Sequence, residues 1–195
     1  MEGYASYQVI VRKQGILDDV VANTDGTLNN GACAVILRNM LLAEYNMLTG
    51  VAGDAGIYGT SESTTLLSLM YSIVYAEGIV TAVDEIYLDG YESVNQGYFA
   101  LDGVVVEDPE GLANDMLGFS VEVFAYVDEG EYTLFDINKK PRGNEEIILE
   151  AEDLTNKSTV SRIVYLDENG KEKKIDLTPD FTLIYNGRNY NGFTL

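Results

Sequence analysis

The sequence predicts an α+β protein, with a small N-terminal helical unit followed by a mainly antiparallel β domain of barrel or sandwich type. Three observations carry this expectation. Apolar residues recur at helical spacing up to about residue 73, and from Val74 onward they alternate or form short β-branched runs. Turn signals such as Asp102-Gly103 and Asn169-Gly170 punctuate the second part. The chain has 195 residues, 46% of them apolar, which suffices for one large or two small cores and is not a disordered composition. The expected division is therefore 1–73 and 74–195.

In the first unit, Tyr4, Tyr7, Val11 and Ile16-Leu17 share a face of a short helix closed by Gly15, a residue suited to the left-handed position after a helix end. Asp18-Asp19 and the turn Asn23-Thr24-Asp25-Gly26 follow. A second helix is expected from Leu28 to Leu48, capped by Asn29 or Asn30, with Ile36, Leu37, Met40, Leu41, Tyr45 and Leu48 at helical spacing. Gly50 to Gly59 reads as a glycine-rich loop, and Thr64 to Met70 as one or two helical turns.

In the second unit, Val74 to Val83 is the first strand. Tyr98–Leu101 and Val104–Val106 form a hairpin about Asp102-Gly103. A short helix from Glu110 to Leu117 follows Pro109. Phe119 to Val127 alternates, with Phe119, Val121, Val123 and Ala125 on one face, then turns at Asp128-Glu129-Gly130 into Tyr132–Ile137. Ile147–Glu150 is a further strand, Arg162–Leu166 and Lys171–Leu177 pair about Asp167-Glu168-Asn169-Gly170, and Phe181–Tyr185 is the last. Many short strands with frequent turns imply a small barrel or sandwich.

The chemistry points away from catalysis. With 32 acidic against 12 basic residues the net charge is −20, which repels phosphate backbones and anionic lipid. Nucleic-acid binding and membrane insertion are therefore not expected; a basic partner is suited. There is no His, so Ser-His-Asp and His-based zinc sites are excluded, and no P-loop or Gly-x-Gly-x-x-Gly occurs. Carboxylate pairs such as Glu145-Glu146 and Asp128-Glu129 carry no information in so acidic a chain. No cofactor is expected. Calcium is the one ion the acidic loops bring to mind, yet neither Asp167–Gly170 nor Asp18, Asp19 and Asp25 has the spaced Asp-x-Asp-x-Asp-Gly pattern with its terminal Glu. Cys33 is alone, within Ala32–Leu37, and reads as a small buried hydrophobe. Tyr126, Tyr132, Tyr165, Tyr185 and Tyr190 read as strand-packing residues. Met1–Ser6 lacks a basic and apolar leader, so a surface protein of this kind would be an internal piece of a longer chain or reach its place otherwise.

Gly15-Ile16-Leu17-Asp18-Asp19-Val20, a polar loop, and then Leu28-Asn29-Asn30-Gly31-Ala32-Cys33-Ala34-Val35-Ile36-Leu37-Arg38-Asn39-Met40-Leu41 resemble one S-layer homology repeat. Thr65-Leu66-Leu67, Val74–Ala82, Leu117–Phe124 and Thr182–Gly187 resemble the continuation of such repeats in clostridial surface proteins. The resemblance implies an envelope role and, in complete anchors, binding of an anionic wall polysaccharide by a Thr-Arg-Ala/Gly-Glu motif. Here Asn29 stands for Thr, Asn30 for Arg, Gly31 for Ala/Gly and Ala32 for Glu, so the motif is degenerate and its cation is missing. The function implied is a non-enzymatic structural or assembly protein of an extracellular surface layer or cell envelope, working by self-association or against other structural proteins. A phage virion component and a polysaccharide-binding anchor are the alternatives. The abrupt ends suggest a segment of a longer polypeptide or a shortened relative.

Overall fold

The computed structural model describes the backbone of residues 11–52, 55–179, 181–185 and 188–189, and their side chains outside 45–63. The chain is mainly β with few helices. It divides into two compact units: residues 1–75 with 126–130, and residues 76–125 with 131–195.

In the first unit, residues 11–13 are helical, and Gly15 takes φ +67° as a helix-closing glycine. The Gly15 and Ile16 amides return to the carbonyls of Arg12 and Val11, each at 3.1 Å. The earlier part of this expected helix lies outside the described residues. The next helix, α1 (Asn30–Leu42), begins at Asn29, whose extended backbone and accepting side chain make it the N-cap. It stops at Ala43, where ψ is 140°. The expected continuation to Leu48 is therefore corrected, as is the loop from Gly50 to Gly59. Strand β1 (Glu44–Ala52) pairs antiparallel with β2 (Ala55–Thr65), from Glu44↔Thr65 to Ala52↔Ala55 with two register shifts. A ladder spanning both segments overrides the local helical spacing, which alone cannot tell the two states apart over a short run.

Helix α2 (Leu66–Tyr71) follows directly. Thr65 and Ser68 cap each other reciprocally: the Ser68 amide donates to Thr65 Oγ1 and the Thr65 amide to Ser68 Oγ, both at 3.1 Å. Ser72 ends it at φ +55°. This unit is thus helical plus a hairpin, not helical throughout.

The larger sheet contains β3 (Ile73–Val83), β4 (Ile86–Tyr87), β5 (Tyr98–Leu101), β6 (Val104–Glu107), β7 (Ser120–Asp128) and β8 (Glu131–Lys139). Its six strands run in the order β4-β3-β5-β6-β8-β7, and β3 also pairs with β7. The sheet is mixed, because β6 meets β8 in parallel at Glu107↔Thr133. Its hairpins are local products of the sequence. Asp102 (φ +48°) and Gly103 (φ +86°) are both left-handed, as are Glu129 (φ +49°) and Gly130 (φ +93°), the backbone that a tight two-residue turn requires.

Alternation decides burial. Val121, Val123 and Ala125 of β7 face inward with Val80, Ala82, Phe99, Val106, Leu134 and Ile137. Thr81 is buried among them; its hydroxyl donates to Ala100 O at 3.3 Å and accepts the Gly103 amide at 3.1 Å, so no polar atom is stranded.

Two expected elements do not form. The helix from Glu110 to Leu117 is a series of turns. Gly111 adopts φ +70°, which breaks the helical run, and the Asp108 carboxylate takes the Leu112 and Ala113 amides at 3.0 and 2.8 Å, holding the turns that form instead. Ile147–Glu150 finds no ladder partner among the described residues, and Ile148 is exposed. Strands β9 (Arg162–Leu166) and β10 (Glu172–Asp176) do form the expected hairpin, with Gly170 at φ +70°. A last small hairpin joins β11 (Ile184–Tyr185) to β12 (Arg188–Asn189).

Candidate functional site

The residues singled out by the motif lie together at the start of α1. Asn29 spends its side chain on capping: Oδ1 accepts the Ala32 amide at 2.8 Å, and its carbonyl accepts the Cys33 amide at 3.0 Å. Asn30 is the first helical residue and is exposed, Gly31 is exposed, and Ala32 is buried. The group thus offers a ligand the neutral side chain of Asn30 and no cation. Arg38, two turns on, is held elsewhere: its guanidinium lies 5.4 Å from the Tyr75 ring centroid, and Nη2 donates to Tyr75 Oη at 3.4 Å. Asn39 donates to the carbonyls of Ile16 (3.2 Å) and Asp18 (2.9 Å), tying α1 to the preceding turn.

Cys33 is exposed, which corrects the expectation of a buried hydrophobe. The physical reason is that α1 buries only Ala32 among its described residues, so the apolar run around Cys33 does not form a core face. Leu37 and Met40 of α1, and Leu69, Met70 and Tyr71 of α2, are likewise exposed. Helices α1 and α2 pack against each other within the first unit.

In the second unit a depression of about 270 Å³ is lined by Asp84, Gln96, Gly97, Tyr98, Asp108, Pro109, Glu110, Gly111 and Asn114. Two of its three acids, Asp84 and Asp108, are committed to the loops that form it. Asp108 is buried and takes two amides, while Asp84 Oδ1 accepts the Gly97 amide at 3.2 Å. These hydrogen bonds fix the loop shape and leave no evident pair of free carboxylates facing each other.

The calcium candidates are not gathered. Among the described residues no group of three His, Cys, Asp or Glu side chains could hold a metal ion. Asp25 turns to Thr27 instead, accepting its amide at 2.9 Å and its hydroxyl at 2.6 Å, and these bonds hold its carboxyl below the ordinary carboxylate range. Asp167 accepts the Asn169 and Lys171 amides at 3.0 and 2.9 Å, closing the β9–β10 turn. Glu146 of the pair Glu145-Glu146 lies 3.7 Å from Lys139. Tyr126, Tyr132 and Tyr185 are exposed and Tyr165 is half-buried; Tyr190 lies outside the described residues. No helix among the described residues is long and apolar enough to cross a membrane.

Compared with protein-family models, with curated proteins and with solved structures, the chain matches none of them.

Proposed function

We propose that the chain is a non-enzymatic structural or assembly protein of an extracellular surface layer or cell envelope, and that it works by packing against copies of itself. The observation that supports this most is the exposed apolar surface of the helices. Residues 26–43 and 63–76 contain no acidic residue in a chain with 32, and they carry exposed Leu37, Met40, Leu69, Met70 and Tyr71. Exposed apolar patches of this kind are typical of interaction sites. On a chain of net charge −20 they are also places where two copies meet without like-charge repulsion. The likeness of residues 15–41 to an S-layer homology repeat supports the envelope setting.

The scaffold we infer for the second unit is a small barrel. The pairings β3–β5, β5–β6, β6–β8, β8–β7 and β7–β3 form a ring. The last is supported by the Val80 amide donating to Phe119 O at 3.1 Å and the Gly118 amide to Val80 O at 2.8 Å. Closing a sheet in this way removes most of its edges.

A phage virion component is the second reading, favoured by Asn30 standing where a polysaccharide-binding repeat carries arginine. A genuine wall anchor is third. Sedimentation over a range of concentrations, alongside pull-down on purified wall polysaccharide, separates assembly from anchoring. Self-association without polysaccharide capture is the expected result. A strict monomer that binds the polysaccharide at low salt would replace assembly with anchoring.

A further inference from the structure

Residues 145–149 of the second unit read as a strand and have no sheet. They lie in no helix, strand or turn, and their main-chain groups make no hydrogen bond among the described residues. The β-branched pair Ile147-Ile148 suits extended backbone, and the two side chains are 42% and 86% exposed. Both ends of the segment are fixed. Before it, the Asn144 side chain accepts the Ser120 amide at 2.7 Å and donates to the Ser120 carbonyl at 2.8 Å. After it, the Glu150 amide donates to Asp153 Oδ2 and the Asp153 amide to Glu150 O, both at 3.0 Å. A segment held at both ends loses less conformational freedom on pairing than a free one.

The same unit carries an uncovered strand edge. Strands β9 and β10 pair antiparallel, and the Leu177 amide donates to Ser161 O at 2.9 Å. Hydrogen-bonded pairs alternate along such a ladder, so the main-chain groups of Glu172, Lys174 and Asp176 point away from β9. The outer edge of β9 is covered: the Leu166 amide donates to Asp153 O at 3.0 Å and the Thr155 amide to Val164 O at 2.9 Å. Among the described residues the outer edge of β10 has no such cover.

That edge is basic. Lys171, Lys173 and Lys174 are exposed and make no ion pair among the described residues, whereas Lys157 pairs with Glu172 and Arg162 with Asp176. Lysines on an edge ordinarily keep copies from pairing there. The unpaired segment, however, brings acids that suit them. Glu145 makes no ion pair among the described residues, and Glu146 meets Lys139 at 3.7 Å with both side chains exposed.

We propose that residues 145–149 of one copy add as a strand to the β10 edge of a second copy. This inference rests on the self-assembly reading above and adds a contact to it. Laid along β10 in either direction, the segment sets Glu145 and Glu146 opposite Lys173 and Lys174, and opposite charges facing each other across strands are favourable. In both directions the main-chain groups of Glu145 and Ile147 then face the outward groups of β10. Main-chain pairing gives affinity, and the charges give register. Each copy carries one donor segment and one acceptor edge.

Proline variants test it. Lys174→Pro removes an outward N–H of β10, the position at which an edge strand tolerates proline. Ile147→Pro removes an N–H that bonds to nothing among the described residues. With unfolding midpoints near wild type, each is expected to weaken association by at least about tenfold. An equimolar mixture of the two should associate more tightly than either alone, since one good surface remains on each. In the wild type, the Ile147 and Lys174 amides should exchange hydrogen about tenfold more slowly in the assembly than in the dilute chain, a reading that does not depend on the variants folding. Folded variants that associate like wild type, or amides that exchange equally fast in both states, would overturn the strand addition and leave self-assembly standing. So would a wild type whose β10 edge is needed for capture by poly-glutamate and not for association, which would give the edge to an acidic partner. A wild type that is monomeric throughout would remove both.

Discussion

At the residue scale, Asn29 and Asp108 are polar groups whose work is structural. Asn29→Ala removes the N-cap of α1 and is expected to cost about 1 kcal/mol, read from chemical denaturation. Asp108→Ala removes the buried acceptor of the Leu112 and Ala113 amides and should cost about 1–3 kcal/mol, with Asp108→Asn milder because one oxygen still accepts. Glu172 gives a pH signature. The hydrogen bond from Lys157 pulls its carboxyl below the ordinary value of 4.5. A carboxyl lowered on folding stabilises above its unfolded value, and that contribution is lost as pH falls through the folded value. The gap in melting temperature between wild type and Lys157→Ala, small at this exposed pair, should therefore be present at about pH 6 and shrink as the pH falls below 4.5. Asn29 was legible because capping is decided within four residues. Cys33 was not, because a run of apolar letters does not say which side of a helix finds a partner.

At the scale of elements, the hairpins were the clearest part of the sequence. Asp102-Gly103 and Glu129-Gly130 demand left-handed backbone, and local chemistry supplies it. The missed elements depend on distant partners or on backbone geometry. Strand β1 continues a helical pattern and becomes a strand only through its ladder with β2. The expected helix after Pro109 is broken by the left-handed backbone of Gly111. The degenerate motif was found as a location, and the sequence left its cap to Asn29 or Asn30; the structure gives it to Asn29. One element contact invites a direct test. The Asn189 side chain pairs with the main chain of Tyr87, accepting its amide at 3.0 Å and donating to its carbonyl, as a neighbouring strand would. Asn189→Ala should speed hydrogen exchange at the Tyr87 amide by about tenfold while leaving β5 and β7 protected.

At the scale of the molecule, charge and exposed surface pull in opposite directions. A chain of net charge −20 repels copies of itself, while the acid-free helices carry the exposed apolar surface proposed above as the place where copies meet. Moderate salt should therefore strengthen association by screening the net repulsion. The mixture of helices and strands was visible in the hydrophobic period, but strands begin at Glu44, well before the change of character expected near residue 74. The assignment of 126–130 to the first unit was not visible, since it depends on contacts between residues far apart in sequence. Sedimentation velocity of the full chain, from low to high micromolar concentration at about physiological salt, tests the central claim of self-assembly most directly. The account predicts a weight-average mass that climbs with concentration past that of one 195-residue chain. A mass fixed at one chain across the whole range would contradict it.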